Sequence, residues 1–190
     1  MPRIALVDLA QHWLCPKLKA GDAVIDATVG NGFDTLFLAK CVAPGGQVFG
    51  FDIQAQALEN AKAKIPGDLV ASLYWRQNCH SAMSEHLPVS LHGRIKAVMF
   101  NLGYLPGADK TIITRPCSTL SALKQAVELI SLNGAITVVA YPGHAGGGNE
   151  CATVAEFCRN LNPLQFRLAI IDSISATPTA PKLFQIEKIA

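Results

Sequence analysis

The stretch "AVIDATVGNGFDTLFLAKCV" (23–42) decides the fold. Its first residues are apolar except for Asp26, and glycines follow at 30 and 32. Phe33, Leu36, Phe37 and Leu38 then recur at helical spacing until "APGG" stops them. A short buried strand, a glycine turn and a helix in that order form the first half of a βαβ unit.

The same alternation continues outward. Strand patterns at 47–53, 69–77, 95–103 and 135–143 are separated by helical patterns at 54–65, 80–87 and 118–134, and another helix spans 149–161. Ser118 or Thr119 is expected to cap the 118–134 helix, and Asn133-Gly134 to end it. Two further strands, 166–174 and 182–190, have no helix between them. The pattern predicts a doubly wound α/β domain over 1–190, with a mostly parallel seven-stranded sheet, an antiparallel edge hairpin at the C-terminus and a helical extension at 1–20.

Composition narrows the function. Half of the 190 residues are hydrophobic and 16% are charged, which excludes a disordered chain and fits one compact domain. The six cysteines make no C-x-x-C pair, so neither a zinc ribbon nor a disulfide framework is expected, and no metal site is. A net charge of +2 does not by itself announce nucleic acid. No stretch approaches the ~20 apolar residues of a membrane span, and the N-terminus lacks a signal-peptide core. A soluble, cytoplasmic protein is expected.

In open α/β sheets ligands bind beyond the C-terminal ends of the strands. At the first end, Gly30 and Gly32 allow a sharp turn and close approach to a ligand, while the helix from Phe33 points its amides at that space. The G-x-G-x-x-G fingerprint is incomplete, because Thr35 stands where a third glycine belongs. Asp52 ends the second strand twenty residues after Gly32, where an acid can accept ribose hydroxyls. Asp26 is an acid inside an apolar strand; it either staples the turn or faces a ligand ammonium group. At the third end, Asn78 and His80 either meet an adenine edge or cap a helix. The cofactor-binding set expected from these ends is Asp26, Gly30, Asn31, Gly32, Phe33, Asp34, Thr35, Asp52, Ile53, Gln54, Asn78, Cys79 and His80.

The fourth end reads "FNLGYLP" (100–106). Asn101-Leu102-Gly103-Tyr104 looks like a variant of the D/N-P-P-Y/F sequence of S-adenosylmethionine-dependent amino methyltransferases, with Leu and Gly replacing two prolines. Together with "DATVGNGFDTLFLAK", "FDIQ", "YPGH…GGGNE" and "IEKI", it resembles a small bacterial family of S-adenosylmethionine-dependent enzymes. That family was long labelled rRNA methylases and is now understood as tRNA methyltransferases of the wobble uridine. The resemblance runs from about residue 22 to the C-terminus and is weakest in the N-terminal helix and at 162–180. Pro142 and the extra glycine of "GGGNE" depart from the pattern.

The resemblance implies a Rossmann-like class I fold, S-adenosylmethionine as cofactor and conversion of 5-aminomethyl-2-thiouridine to its methylaminomethyl form. It implies that Asn101 and the Leu102 carbonyl orient the amine and that Tyr104 stacks on the base. It also leaves His144, Asp109 or water to take the proton. Tyr104, Asp109, Lys110, Arg115 and Tyr141 are the expected substrate contacts, with Lys182 also near the mouth. The expected partner is a tRNA anticodon loop, with rRNA as the alternative, and a homodimer fits so small a domain. Three other readings remain open: methylation of a base amine in rRNA, an NAD-binding oxidoreductase, and a non-catalytic RNA-binding relative.

Overall fold

The computed structural model describes residues 5–103, 107, 113–173, 177 and 179–190. Seven strands form one sheet: β1 (Ala23–Asp26), β2 (Gln47–Asp52), β3 (Ser72–Gln77), β4 (Ile95–Asn101), β5 (Ile130–Ala140), β6 (Phe166–Asp172) and β7 (Lys182–Lys188). Their order is β3-β2-β1-β4-β5-β7-β6. The first five run parallel, while β7 is antiparallel to both β5 and β6. The order reverses between β1 and β4, so the sequence's two most informative strand ends stand side by side at the switch point.

Strand alternation supplies two cores, one on each face. Ile25, Phe49, Val98, Ile136 and Phe184 face helices α4 (Pro116–Leu129) and α5 (Gly147–Arg159). Val24, Val48, Ala97, Val139 and Leu183 face α1 (Leu6–Leu14) and α2 (Phe33–Val42). The N-terminal helix is therefore a covering layer as well as an extension: Ala10 and Leu14 are fully buried against β5 and β7. A smaller cluster under α3 (Ala55–Lys62) joins Leu58 and Ala61 to Val29.

Several boundaries differ from expectation for physical reasons. The 118–134 helix begins at Pro116, with Arg115 as its N-cap, and ends at Leu129; neither Ser118 nor Thr119 caps it. Proline suits a first helical position because its missing N–H is an orphan there anyway. Asn133 (φ 57°) and Gly134 lie inside β5, where its register with β4 shifts between Ile95 and Ala97. A Cβ on Gly134 would stand 2.7 Å from the Ser131 carbonyl oxygen. The left-handed Asn-Gly pair that suggested a helix end thus serves a bulge. Residues 80–86 form 3-10 turns with a kink at Ala82 rather than an α-helix.

Candidate active site

The glycine turn is held from below by carboxylates. Asp26 is fully buried; its Oδ2 accepts the Thr35 hydroxyl at 2.5 Å and its Oδ1 the Thr28 amide at 3.1 Å. Asp52 accepts the Gly30 amide at 2.9 Å on one oxygen and the Gln54 amide at 2.9 Å on the other. Asp34, in the first turn of α2, accepts Gln11 Nε2 from α1 at 2.7 Å. Burial first, then the Asp34 charge, pushes Asp26 up to about 7 from 3.8. Burial raises Asp34 and Asp52 as well, against the hydrogen bonds that favour their charged forms.

Above this floor lies a cleft of about 670 Å³. That volume is typical of a cofactor-sized ligand site. From the expected cofactor set, Gly30, Asn31, Phe33, Asp34, Asp52, Ile53, Gln54, Asn78, Cys79 and His80 line it. Asp26, Gly32 and Thr35 do not line it; they shape the turn beneath. Gly32 (φ +81°) has a second constraint, since a Cβ there would lie 2.5 Å from Ala61 Cα. Its close approach is to α3. Phe33 and Ile53 present exposed apolar surface at the rim, at 63% and 51% exposure.

Asn78 and His80 both line the cleft, and each also bonds to the protein around it. Asn78 Oδ1 accepts the Cys79 amide at 2.8 Å, and its Nδ2 lies 2.6 Å from His86 Nε2. His80 Nδ1 meets the Ala27 carbonyl at 3.2 Å, which requires the proton on that nitrogen. Its Nε2 is then an acceptor, buried and without a partner among the described residues. Burial pushes His80 down to about 4, so the ring is neutral. It stands edge-on to Phe100 at 5.9 Å.

Across the switch point, the Asn101 amide nitrogen donates to Thr28 Oγ1 at 2.7 Å and the Leu102 amide to the Val139 carbonyl at 2.9 Å. These bonds tie the end of β4 to the glycine turn on one side and to β5 on the other. Asn101 lines the cleft, and its side-chain amide has no hydrogen-bond partner among the described residues. Leu102, Gly103, Tyr141 and His144 line the same cleft. His144 Nε2 would lie 3.6 Å from a Cβ on Gly103 and 2.9 Å from one on Gly147, so two glycines make room for this ring. Tyr141 is half-buried, and burial with the nearby Asp34 charge raises its phenol. Arg115 caps α4 outside the cleft lining, and Lys182 pairs with Asp172. Tyr104, Asp109 and Lys110 lie outside the described residues.

Sequence reasoning missed Thr28, Thr114, Ile113, Gly143, Thr179 and Pro181, which also line the cleft. Small and hydroxyl residues in loops carry no pattern that separates a cleft wall from a turn. Gln11, reaching Asp34 from a distant helix, had no local signal either.

This arrangement, a glycine turn, an acid at the end of β2 and an amide at the end of β4 around a switch-point cleft, on a parallel sheet with an antiparallel β7, is that of a class I methyltransferase fold. The crystallised "putative rRNA-methylase" of Clostridium thermocellum superposes at a TM-score of 0.91 with 38% identity over the whole of both chains. SMU.1697c of Streptococcus mutans, described as "a putative methyltransferase" in complex with SAH, gives 0.85 with 30% identity over 98% of this chain and 99% of that one. The family described as "Putative rRNA methylase" matches residues 48–187, and the chain belongs to it. The Arabidopsis thaliana chloroplastic tRNA (mnm(5)s(2)U34)-methyltransferase is 42% identical over 149 residues, 74% of this chain and 54% of that protein. This chain thus spans about half the length of that curated relative.

Proposed function

We propose that this chain is an S-adenosylmethionine-dependent methyltransferase that converts 5-aminomethyl-2-thiouridine at the tRNA wobble position to 5-methylaminomethyl-2-thiouridine. The observation that carries the reading is the Asn101 side-chain amide, without a hydrogen-bond partner among the described residues, on the wall of a cleft whose glycine turn is surrounded by Asp26, Asp34 and Asp52. Three carboxylates favour a ligand bearing ammonium and sulfonium charges. They disfavour the pyrophosphate of NAD, which removes the main support for an oxidoreductase. The residues present fit S-adenosylmethionine. The Gly30 turn would lie along its amino-acid end, Asp52 retains lone pairs for ribose hydroxyls, and Ile53 offers an apolar face to adenine. The Arabidopsis relative's substrate and the SAH of the Streptococcus protein support the same reading.

When bound, the cofactor supplies an electrophilic methyl group. The protein's part is positioning: a neutral amine must meet that methyl in line and at short range. Asn101 Oδ1 and the Leu102 carbonyl accept N–H hydrogens and so aim the nitrogen lone pair. They also stabilise the positive charge that develops on nitrogen as the new N–C bond forms. A neutral amide suits this role because it does not hold the amine as an ammonium ion. The nitrogen's surplus proton leaves to His144, Asp109 or water. Tyr104 stacks on the uracil ring, a contact worth about 1–3 kcal/mol for an exposed base. Lys110 and Arg115 meet backbone phosphates, and a second copy in a homodimer would widen the RNA-binding surface. The reaction belongs in the cytoplasm with its tRNA.

The test is methyl transfer from labelled cofactor to tRNA that carries 5-aminomethyl-2-thiouridine, read by nucleoside analysis, with calorimetry against S-adenosylhomocysteine and NAD. Appearance of the methylaminomethyl nucleoside supports the proposal. Methylation of an rRNA base amine with an unchanged wobble uridine would transfer the activity to the alternative substrate. SAH and tRNA binding without transfer to any RNA would make the chain a binding protein.

A further inference from the structure

Glu150 is 2% exposed, yet it forms no ion pair among the described residues. It sits in the first turn of α5, and each carboxylate oxygen accepts one threonine hydroxyl. Oε1 takes Thr119 of α4 at 2.6 Å, and Oε2 takes Thr114 at 2.7 Å. The Thr114 oxygen in turn accepts the Gly103 amide at 2.8 Å, while the Thr114 amide donates to the Gly103 carbonyl at 2.9 Å. The direction of this chain is fixed: Gly103 N–H to the Thr114 hydroxyl, and that hydroxyl to the carboxylate.

A buried carboxylate is costly to keep unless its lone pairs are met. Here they are met by two hydroxyls, Thr119 of α4 and Thr114 before it, and Thr114 carries the connection to one peptide. That peptide joins Leu102 to Gly103, immediately after Asn101. Its front is already held by the Asn101 and Leu102 amides on Thr28 and Val139. Gly103 has φ +128°, a conformation glycine reaches without a steric penalty but does not specially prefer, so its backbone alone does not hold the peptide in one place.

We propose that Glu150 and Thr114 form a positioning relay that fixes the Leu102–Gly103 peptide, and through it the amine-orienting pair of Asn101 Oδ1 and the Leu102 carbonyl. This inference rests on the methyl-transfer reading for its effect on rate, but the relay itself is independent of that reading. Glu150 and Thr114 are positioning residues; neither needs to touch the reacting atoms. Because α5 also begins just after His144, the same carboxylate sets the distance between the two walls of the acceptor side. In-line transfer is sensitive to displacements of an ångström.

The test compares Thr114→Val, Thr114→Ser and Glu150→Gln in the full chain. Four quantities are read: kcat and KM with aminomethyl-bearing tRNA, SAH affinity by calorimetry, and hydrogen exchange of the Gly103 amide. Valine keeps the shape but breaks the relay. It should lower kcat at least tenfold, leave SAH affinity within twofold and speed Gly103 exchange at least tenfold. Serine, which restores the hydroxyl, should bring kcat and exchange back to within threefold of wild type. An amide at 150 cannot accept both hydroxyls and should fall between them. Wild-type kcat and Gly103 protection in Thr114→Val would overturn the relay, as would parallel loss of SAH binding in all three variants, which marks a packing role. If the wild type transfers no methyl to this tRNA, the proposed function fails, and Gly103 exchange alone then decides the relay.

Discussion

Asp26→Asn separates the electrostatic argument for the cofactor from the shape argument. In the folded protein burial, more than any other cause, pushes Asp26 up to about 7 from 3.8. Folding therefore takes up a proton between these values. A raised carboxylate makes the fold less stable as pH rises from 3.8 through 7, with no further change above. The full loss is ~4 kcal/mol, and roughly 2–3 kcal/mol of it falls between pH 5 and pH 8. Asparagine keeps one acceptor and does not titrate. Urea unfolding of both proteins at pH 5 and pH 8 should show the wild type losing roughly 2–3 kcal/mol relative to the variant. Binding of a cationic ligand favours ionised Asp26, and roughly a tenth of the group is ionised at pH 6 against about three quarters at pH 7.5. S-adenosylmethionine affinity should thus rise up to roughly eightfold over that range in the wild type and lose this rise in Asp26→Asn. Parallel pH trends for the two proteins, in stability and in affinity, would refute the reasoning.

Gly32→Ala places a Cβ against the α3 backbone at a left-handed position, and should cost about 2–4 kcal/mol by thermal or chemical unfolding. Phe100→Ala removes a fully packed ring from beside His80 and should cost about 3–5 kcal/mol by the same measure. Asn101→Ala should lower kcat by about 10²-fold in the methyl-transfer assay, the scale of one lost transition-state hydrogen bond, while SAH affinity measured by calorimetry stays unchanged.

The parts of this molecule that were legible in sequence are those where one local pattern has one physical cause. The buried strand, glycine turn and helix at 23–42 could hardly be built another way, and the alternation that follows fixes a parallel sheet. Asn133-Gly134 misled because a left-handed pair ends helices and makes bulges equally well; only the register of β5 against β4 distinguishes them. Gly32 was read for a ligand, yet its neighbour is Ala61, a contact that arises only once α3 folds across the turn. Asn78 and His80 stand where position suggested, with bonds to Cys79, His86 and Ala27 that no local pattern announced. Glu150 was invisible as a site because an acid in the first turn of a helix is common, and its partners are 31 and 36 residues away.

The place of β7 in the sheet has a consequence for how the chain is made. Residues 182–188 sit between β5 and β6, so β6 has no strand to join until they leave the ribosome. Synthesis from the N-terminus can complete the parallel half and its glycine turn early, while β5 waits with an open edge. Such an edge is a template for other chains. β7 is therefore the stitch that closes this sheet during synthesis, and nascent chains stalled before residue 182 should be the ones that engage chaperones or aggregate.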